Sequence, residues 1–205
     1  PELEAAKLDA LGEAIRRAFG KAPIAYRAGR YGLGPQTLAT LESRGYALDT
    51  SMRSLYDYSG SGGADYSHLD VGPFWCGPRG TLIELPLSSA YTGLLRGHAA
   101  AVSRLPGANL FVRAGLLSRV ALTPEDMPVA DALEAIRVMV GDGVRLLSFS
   151  YHSPSIEPGH TPYVRDAGDL ATFYRWWDAV FALLARIGAK PATLDDVIAA
   201  AWATR

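Results

Sequence analysis

Pro23-Ile24-Ala25-Tyr26-Arg27-Ala28-Gly29-Arg30-Tyr31-Gly32 is the stretch on which the fold reading turns. A short apolar run ends abruptly at a charged residue and passes into a glycine-rich loop that Gly34-Pro35 closes. That pattern reads as a buried strand delivering a polar side chain at its carboxyl end. Before it, Leu8, Leu11, Ile15 and Phe19 recur at three- and four-residue spacing, which predicts a helix stopped at Gly20. After it, Leu38 and Leu41 predict a helix ending near Gly45, and Tyr46-Ala47-Leu48 a second strand ending at Asp49.

Further out, the same alternation continues. Thr81-Leu82-Ile83-Glu84-Leu85-Pro86 reads as a third strand, followed by a mainly helical region to about Arg119 with a break at Pro106-Gly107. Thr123-Pro124-Glu125-Asp126 has the hydroxyl, proline and acids of a helix start. Val129, Leu133, Ile136 and Val140 then share a helical face that ends at Gly141 and Gly143. Val144 to Ser150 is the strongest strand pattern and runs into Tyr151-His152. Leu170, Phe173, Trp177, Phe181 and Leu184 form a wide aromatic stripe, read as core packing, and Thr193-Leu194-Asp195-Asp196 opens a last helix.

Residues 50–78 are rich in Ser, Gly, Asp and Tyr, and a structureless loop of that length is usually functional in a compact domain. Tyr56, Tyr58, Tyr66, Phe74 and Trp75 argue against a plain flexible linker. Short apolar strands alternating with amphipathic helices imply parallel βα units in a single domain over residues 1–205. A complete eight-unit barrel takes about 250 residues. Four or five strands are too few to close one, so the expectation is an α/β fold built as an open sheet or an incomplete barrel.

Composition removes several function classes. The formal net charge of −1, without runs of Lys or Arg, gives no footprint for nucleic acid. The single Cys76 rules out a disulfide within the chain and cysteine-only zinc sites, and beside Trp75 and Gly77-Pro78 it reads as a packed residue. No apolar run reaches the roughly 20 residues of a membrane span. The chain starts at Pro1 inside a helical pattern, so a trimmed or partial sequence is expected and targeting signals are unreadable.

Ligands of parallel α/β folds sit beyond the carboxyl ends of the strands. Arg27, Asp49, Glu84 and His152 each fall at such an end. Taken singly they also read as an ion-pair partner, a turn cap, an ion-pair acceptor and a packing histidine. Their coincidence at one kind of position favours a site.

Tyr26-Arg27-Ala28-Gly29-Arg30-Tyr31-Gly32 resembles the arginine–proline–aromatic–glycine motif of the NodB-homology polysaccharide deacetylases, with Gly29-Arg30 standing in place of the proline. Gly45-Tyr46-Ala47-Leu48-Asp49-Thr50-Ser51 is similar to the segment that follows it in that family. Leu147 to His152, continuing as Ser153-Pro154-Ser155, resembles the late strand that carries the catalytic histidine, and Gly159-His160-Thr161-Pro162-Tyr163 is similar to the close of one branch.

The resemblance implies the C-terminal part of a NodB-type (β/α) barrel and a metal-assisted hydrolase removing N-acetyl or related acyl groups from a carbohydrate or small amide. It implies His152 as general acid, Arg27 as the residue orienting an aspartate base, and the backbone around Tyr31 and Gly32 as an oxyanion donor. Asp49 would support His152 or shape the pocket floor. Glu84, Trp75 and His160 join Tyr31 and Gly32 as candidate substrate contacts.

The family's divalent metal, usually zinc, sits on one aspartate and two histidines in motifs that precede the arginine motif. Only 26 residues precede Arg27, with Asp9 and no histidine among them. His68, His98, His152 and His160 lack short ligand spacing, and His68 with Asp65 and Asp70 is the one conceivable cation cluster. The expectation is that this chain alone binds no metal tightly, and that a missing N-terminal segment or a partner chain completes the barrel. The compartment, bacterial cytoplasm or cell envelope, is left open. The competing reading is a non-catalytic carbohydrate-binding or interaction module of the same fold, for which the aromatic loop would serve equally well.

Overall fold

A computed structural model describes residues 2–102, 105 and 109–205. In chain order the elements are α1 (Glu2–Phe19), β1 (Ala25–Tyr26), α2 (Thr37–Ser43), β2 (Leu48–Asp49), β3 (Phe74–Cys76), β4 (Leu82–Glu84), β5 (Ser89–Thr92), α3 (Ala99–Val102), α4 (Asn109–Arg113), β6 (Ser118–Ala121), α5 (Val129–Gly141), α6 (Ala167–Arg186) and α7 (Leu194–Ala203). The chain divides into two compact units, residues 1–86 with 192–205 and residues 87–191.

The first unit is built on a four-stranded sheet in the order β1-β2-β4-β3. β1, β2 and β4 are parallel, in a register that aligns Tyr26, Asp49 and Glu84. β3 returns antiparallel, with Trp75 opposite Ile83. Leu48 and Leu82 are fully buried, as expected of strands covered on both faces. α1 contributes Leu8 to a core shared with Leu41, Tyr46 and Leu82. Its expected apolar face is only partly used, because Leu11 and Phe19 stay exposed. α1 is tied down instead by polar contacts: the Thr37 hydroxyl donates to Glu4, and Arg44 grips Asp9 through two bonds of 2.6 and 2.8 Å.

Glu42, in α2, is a buried carboxylate that anchors the loop before β4. It accepts from the Arg79 and Thr81 N–H groups and from the Thr81 hydroxyl, each at 2.8 Å. Burial works against ionisation here. The Thr81 and Arg79 N–H groups, the Thr81 hydroxyl and the Arg79 charge outweigh it and bring the group down to about 2. Gly77 has φ of +82°, and a Cβ there would lie 3.0 Å from the Glu42 carboxyl, so both backbone and space call for glycine.

The second unit departs most from expectation. Where a mainly helical region is predicted, β5 and β6 pair antiparallel from Ser89↔Ala121 to Thr92↔Ser118, separated by the short α3 and α4. The predicted break at Pro106-Gly107 lies outside the described residues. Val144 to Ser150 forms no regular strand. Its backbone runs extended between the ends of β5 and β6, taking single bonds: Ser88 N–H to Ser148 O at 3.2 Å, and Ser150 N–H to Leu122 O at 3.1 Å. One backbone bond to each side, with the Ser148 N–H also donating to the Ser88 hydroxyl at 2.9 Å, holds the segment without building a ladder.

α5 begins at Val129, after Pro128, and not at the Thr123–Asp126 signature. Glu125 is instead buried in a contact with residues far along the chain. α6 is capped by the Asp166 carboxylate on the Asp169 N–H. It buries Phe173, Trp176, Val180 and Leu183, a face turned from the predicted stripe, for Phe181 is 58% exposed. On that buried face the Trp176 indole N–H donates to Met127 O at 3.0 Å. α7, in the first unit, carries a full capping box between Thr193 and Asp196, as its sequence predicts.

The α/β class therefore holds, with helices and parallel strands in the expected order over the first half. The sheets do not close: an open four-stranded sheet and a separate two-stranded pair are what the described residues form.

Candidate functional site

Polar chemistry concentrates in two places, one in each unit. In the first, the parallel register sets Asp49 beside Glu84 at the carboxyl ends of β2 and β4. Both are fully buried. Asp49 Oδ1 accepts the Ser51 hydroxyl at 2.5 Å, and Ser51 in turn accepts the Ala28 N–H at 2.8 Å. Glu84 Oε1 accepts the Met52 N–H at 2.9 Å. The other two oxygens, Asp49 Oδ2 and Glu84 Oε2, meet no donor from elsewhere among the described residues.

Two buried carboxylates side by side cannot both carry charge. Burial raises Asp49, while bonds from Glu84, Ser51 and the backbone N–H groups of Thr50 and Ser51 pull it back. Burial raises Glu84 too, and the charge of Asp49 raises it further. The proton therefore rests on Glu84, beside an Asp49 anion that holds more hydrogen bonds. Glu84, expected to touch substrate, is sealed beneath the surface in this role.

Above this pair lies the loop that follows β1. Arg27 and Arg30 are exposed, and Arg27 makes no ion pair among the described residues. Arg30 and Tyr31 both adopt left-handed backbone, with φ of 54° and 57°. Two such non-glycine residues in succession store strain that the surroundings must hold. The Tyr66 hydroxyl supplies part of that hold, donating to Tyr31 O at 2.7 Å. Gly32 spends its N–H on Gly29 O at 3.1 Å, so that group is already taken as an oxyanion donor.

Residues 50–78 are ordered by their own backbone. Leu55 N–H bonds to Tyr66 O, Tyr66 N–H to Tyr56 O, and Tyr58 N–H to Ala64 O, at 2.8–3.1 Å. This irregular hairpin carries the tyrosines into a cluster. Tyr31 stacks on Tyr58 at 5.3 Å between ring centroids, and Tyr58 on Tyr56 at 6.1 Å. Arg53 lies 3.7 Å above the Tyr56 ring.

Trp75 is engaged elsewhere, packed edge-on against Trp202 at 4.7 Å with Arg205 over both rings. Cys76 is a thiol at neutral pH, pushed up to about 12 by burial and by the charges of Glu84, Asp49 and Glu42. It fits the packed-residue reading and not a nucleophile.

In the second unit, His152 sits on a carboxylate that sequence reasoning assigned to a helix start. Glu125 Oε2 lies 2.7 Å from His152 Nδ1, and Glu125 Oε1 accepts the His152 N–H at 2.9 Å and the Ser155 hydroxyl at 2.5 Å. Ser155 is fully buried and also meets the Thr161 hydroxyl at 3.1 Å. The imidazole stacks on Tyr163 at 5.9 Å and 15°. Glu125 is 7% exposed and the His152 side chain 61%, so one edge of the ring is fixed from below and the other faces outward.

Glu125 is the carboxylate bonded to His152. The signal for it was faint: an acid in a helix-start pattern whose helix begins four residues later. Gly159-His160-Thr161 packs around this dyad through Thr161, whereas His160 itself is exposed.

The metal expectation was tested on the donors present. No three of His, Cys, Asp and Glu gather as a metal site among the described residues. Asp9 is spent on Arg44, and the Asp65 carboxylate accepts the Ser67 N–H at 2.8 Å. Asp49 and Glu84 face each other over one proton. These residues do not make an Asp-His-His site. No helix among the described residues is long and apolar enough to cross a membrane. No protein-family model, curated protein or solved structure matches this chain.

Proposed function

We propose that the chain carries the general-acid part of a polysaccharide-deacetylase-type hydrolase, one that removes N-acyl groups from a carbohydrate. The observation that supports this most is the His152–Glu125 dyad. Glu125 binds Nδ1–H, fixing the tautomer and the orientation of the ring, and leaves Nε2 outward where it can protonate a leaving group. Water attack on an amide carbonyl gives a tetrahedral adduct whose collapse expels an amine. The amine is a poor leaving group until it takes a proton, and His152 delivers that proton from Nε2. The open parallel arc of β1, β2 and β4 and the strained Arg30-Tyr31 turn accord with the same family. The family's divalent metal finds no matching donor set in these residues, and no step is assigned to it here.

The test is acetate release from N-acetylglucosamine oligomers by the purified protein. His152→Ala and Glu125→Gln should each lower kcat by roughly 100-fold or more with KM little changed. An unchanged kcat in His152→Ala would remove His152 as the acid.

A second reading, a carbohydrate-binding module without hydrolysis, is favoured by the tyrosine cluster of the first unit. It predicts oligosaccharide binding that His152→Ala leaves intact, with no acetate release from any N-acyl sugar.

A further inference from the structure

We infer that Ser155 is a positioning residue for His152 and acts through Glu125: its buried hydroxyl fixes the carboxylate that in turn fixes the imidazole tautomer. The inference rests on the reading of His152 as the acid and names what holds that acid in place. Glu125 Oε1 takes the His152 N–H at 2.9 Å and the Ser155 hydroxyl at 2.5 Å, and Oε2 faces His152 Nδ1 at 2.7 Å. The contacts from His152 tie carboxylate and imidazole to each other. The contact from Ser155 ties the carboxylate to the segment beyond them. Ser155 also closes a ring of bonds, since its N–H donates to His152 O at 2.8 Å.

The direction of this bonding is set at both ends. Ser155 carries one hydroxyl proton and spends it on a carboxylate, which only accepts. Its oxygen then meets Thr161 Oγ1, 3.1 Å away, by accepting, so Thr161 is the donor. Thr161 Oγ1 accepts in turn from the Val164 N–H at 3.3 Å, a group that cannot reverse. The chain from Val164 through Thr161 and Ser155 therefore points one way, into Glu125 Oε1. On Oε2 the matching donor is Nδ1–H, and a neutral ring with its proton there has given up the one on Nε2. That is the state in which the acid finishes its step.

Burial and strain keep the carboxylate from turning. A glutamate carboxyl otherwise rotates over a broad range about its last torsion. Ser155 is fully buried, so solvent does not compete for its hydroxyl. Directly after Glu125, Asp126 holds left-handed backbone with φ of 62°, and the Glu125 N–H turns back to the Thr123 hydroxyl at 3.2 Å. A strained non-glycine turn on one side and a sealed hydroxyl on the other decide where Glu125 points.

The experiment is nitrogen NMR of the purified protein, labelled in its histidines, at about pH 8.5, well above the ordinary histidine value of about 6.5. The neutral His152 ring of wild type should carry its proton on Nδ1. A histidine side chain free in water favours Nε2–H, and Ser155→Ala should move His152 towards that tautomer. The same variant should lower kcat for acetate release about tenfold with KM unchanged, the worth of one charge-assisted hydrogen bond. Ser155→Ala combined with Glu125→Gln should stay within about twofold of Glu125→Gln alone, because a residue that acts through Glu125 has nothing left to position.

A wild-type ring with its neutral proton on Nε2 overturns the dyad reading and this inference with it. Nδ1–H in wild type that Ser155→Ala leaves unchanged overturns the role of Ser155 and leaves the acid reading standing. Rate losses that multiply in the double variant do the same. In wild type alone, the sealed Ser155 hydroxyl proton should exchange with water slowly enough to give its own resonance. A hydroxyl in fast exchange overturns the arrangement, so a variant that fails to fold does not protect the inference.

Discussion

Replacing Glu84 by Gln probes the buried acid pair through its proton. In the folded chain Glu84 keeps a proton at neutral pH because it is sealed from water beside the Asp49 anion. In the unfolded chain it titrates near the ordinary glutamate value, about 4.3. Above that value the native state holds one proton that the unfolded state has released. The unfolding free energy therefore falls as pH rises, by about 1.4 kcal/mol per unit, until the folded-state value is reached.

Glutamine keeps the shape of the protonated acid. Its oxygen can take the Met52 N–H, and its amide can donate towards the Asp49 carboxylate, as a protonated Glu84 would. Glu84→Gln should thus be at least as stable as wild type near pH 5, and its advantage should grow by about 2.7 kcal/mol between pH 6 and pH 8. Titrating groups remote from the pair cancel in the difference between the two proteins. Urea unfolding at pH 6, 7 and 8 measures it, and proton release on unfolding in weak buffer gives an independent count. Wild type should release one proton more than the variant at pH 7. Parallel stability profiles, or equal proton release, would refute the shared-proton geometry.

Three more outcomes are expected. Glu42→Gln should lower the urea midpoint at pH 7, and the gap should close as pH falls from 4.5 towards about 2, where the wild-type carboxylate itself is lost. Gly93→Ala should cost roughly 1–3 kcal/mol in thermal unfolding, since φ is +90° and the new Cβ would lie 2.6 Å from Leu116 O. The purified chain should take up no stoichiometric zinc by metal analysis after dialysis, and a tight one-to-one complex would mean a donor set that these residues do not display.

Much of the first unit was legible because its signals are local. The apolar run ending at Tyr26, the pattern through Leu48 and the Leu82–Glu84 strand each carry their own period and their own stop. α7 was readable for the same reason, since a capping box spans only four residues. The hairpin of β5 and β6 was not, because its strands are four residues long and sit apart in sequence, paired only by non-local bonds. Val144 to Ser150 has the composition of a strand, yet pairing is a property of neighbours, and it finds too few backbone bonds to build a ladder.

The candidate site divides the same way. Sequence alone placed Arg27, Tyr31 and Asp49 at strand ends or in the loops after them, because an apolar run broken by a polar residue marks such a position; the same pattern before His152 forms no regular strand. Only the tertiary structure decided what each of them meets. Asp49 and Glu84 are 35 residues apart and become a proton-sharing pair because parallel register aligns them. Glu125 precedes His152 by 27 residues and becomes its partner because the chain returns over β6 and α5. Charge pairing depends on distance in space, and that distance is set by the packing of the whole unit.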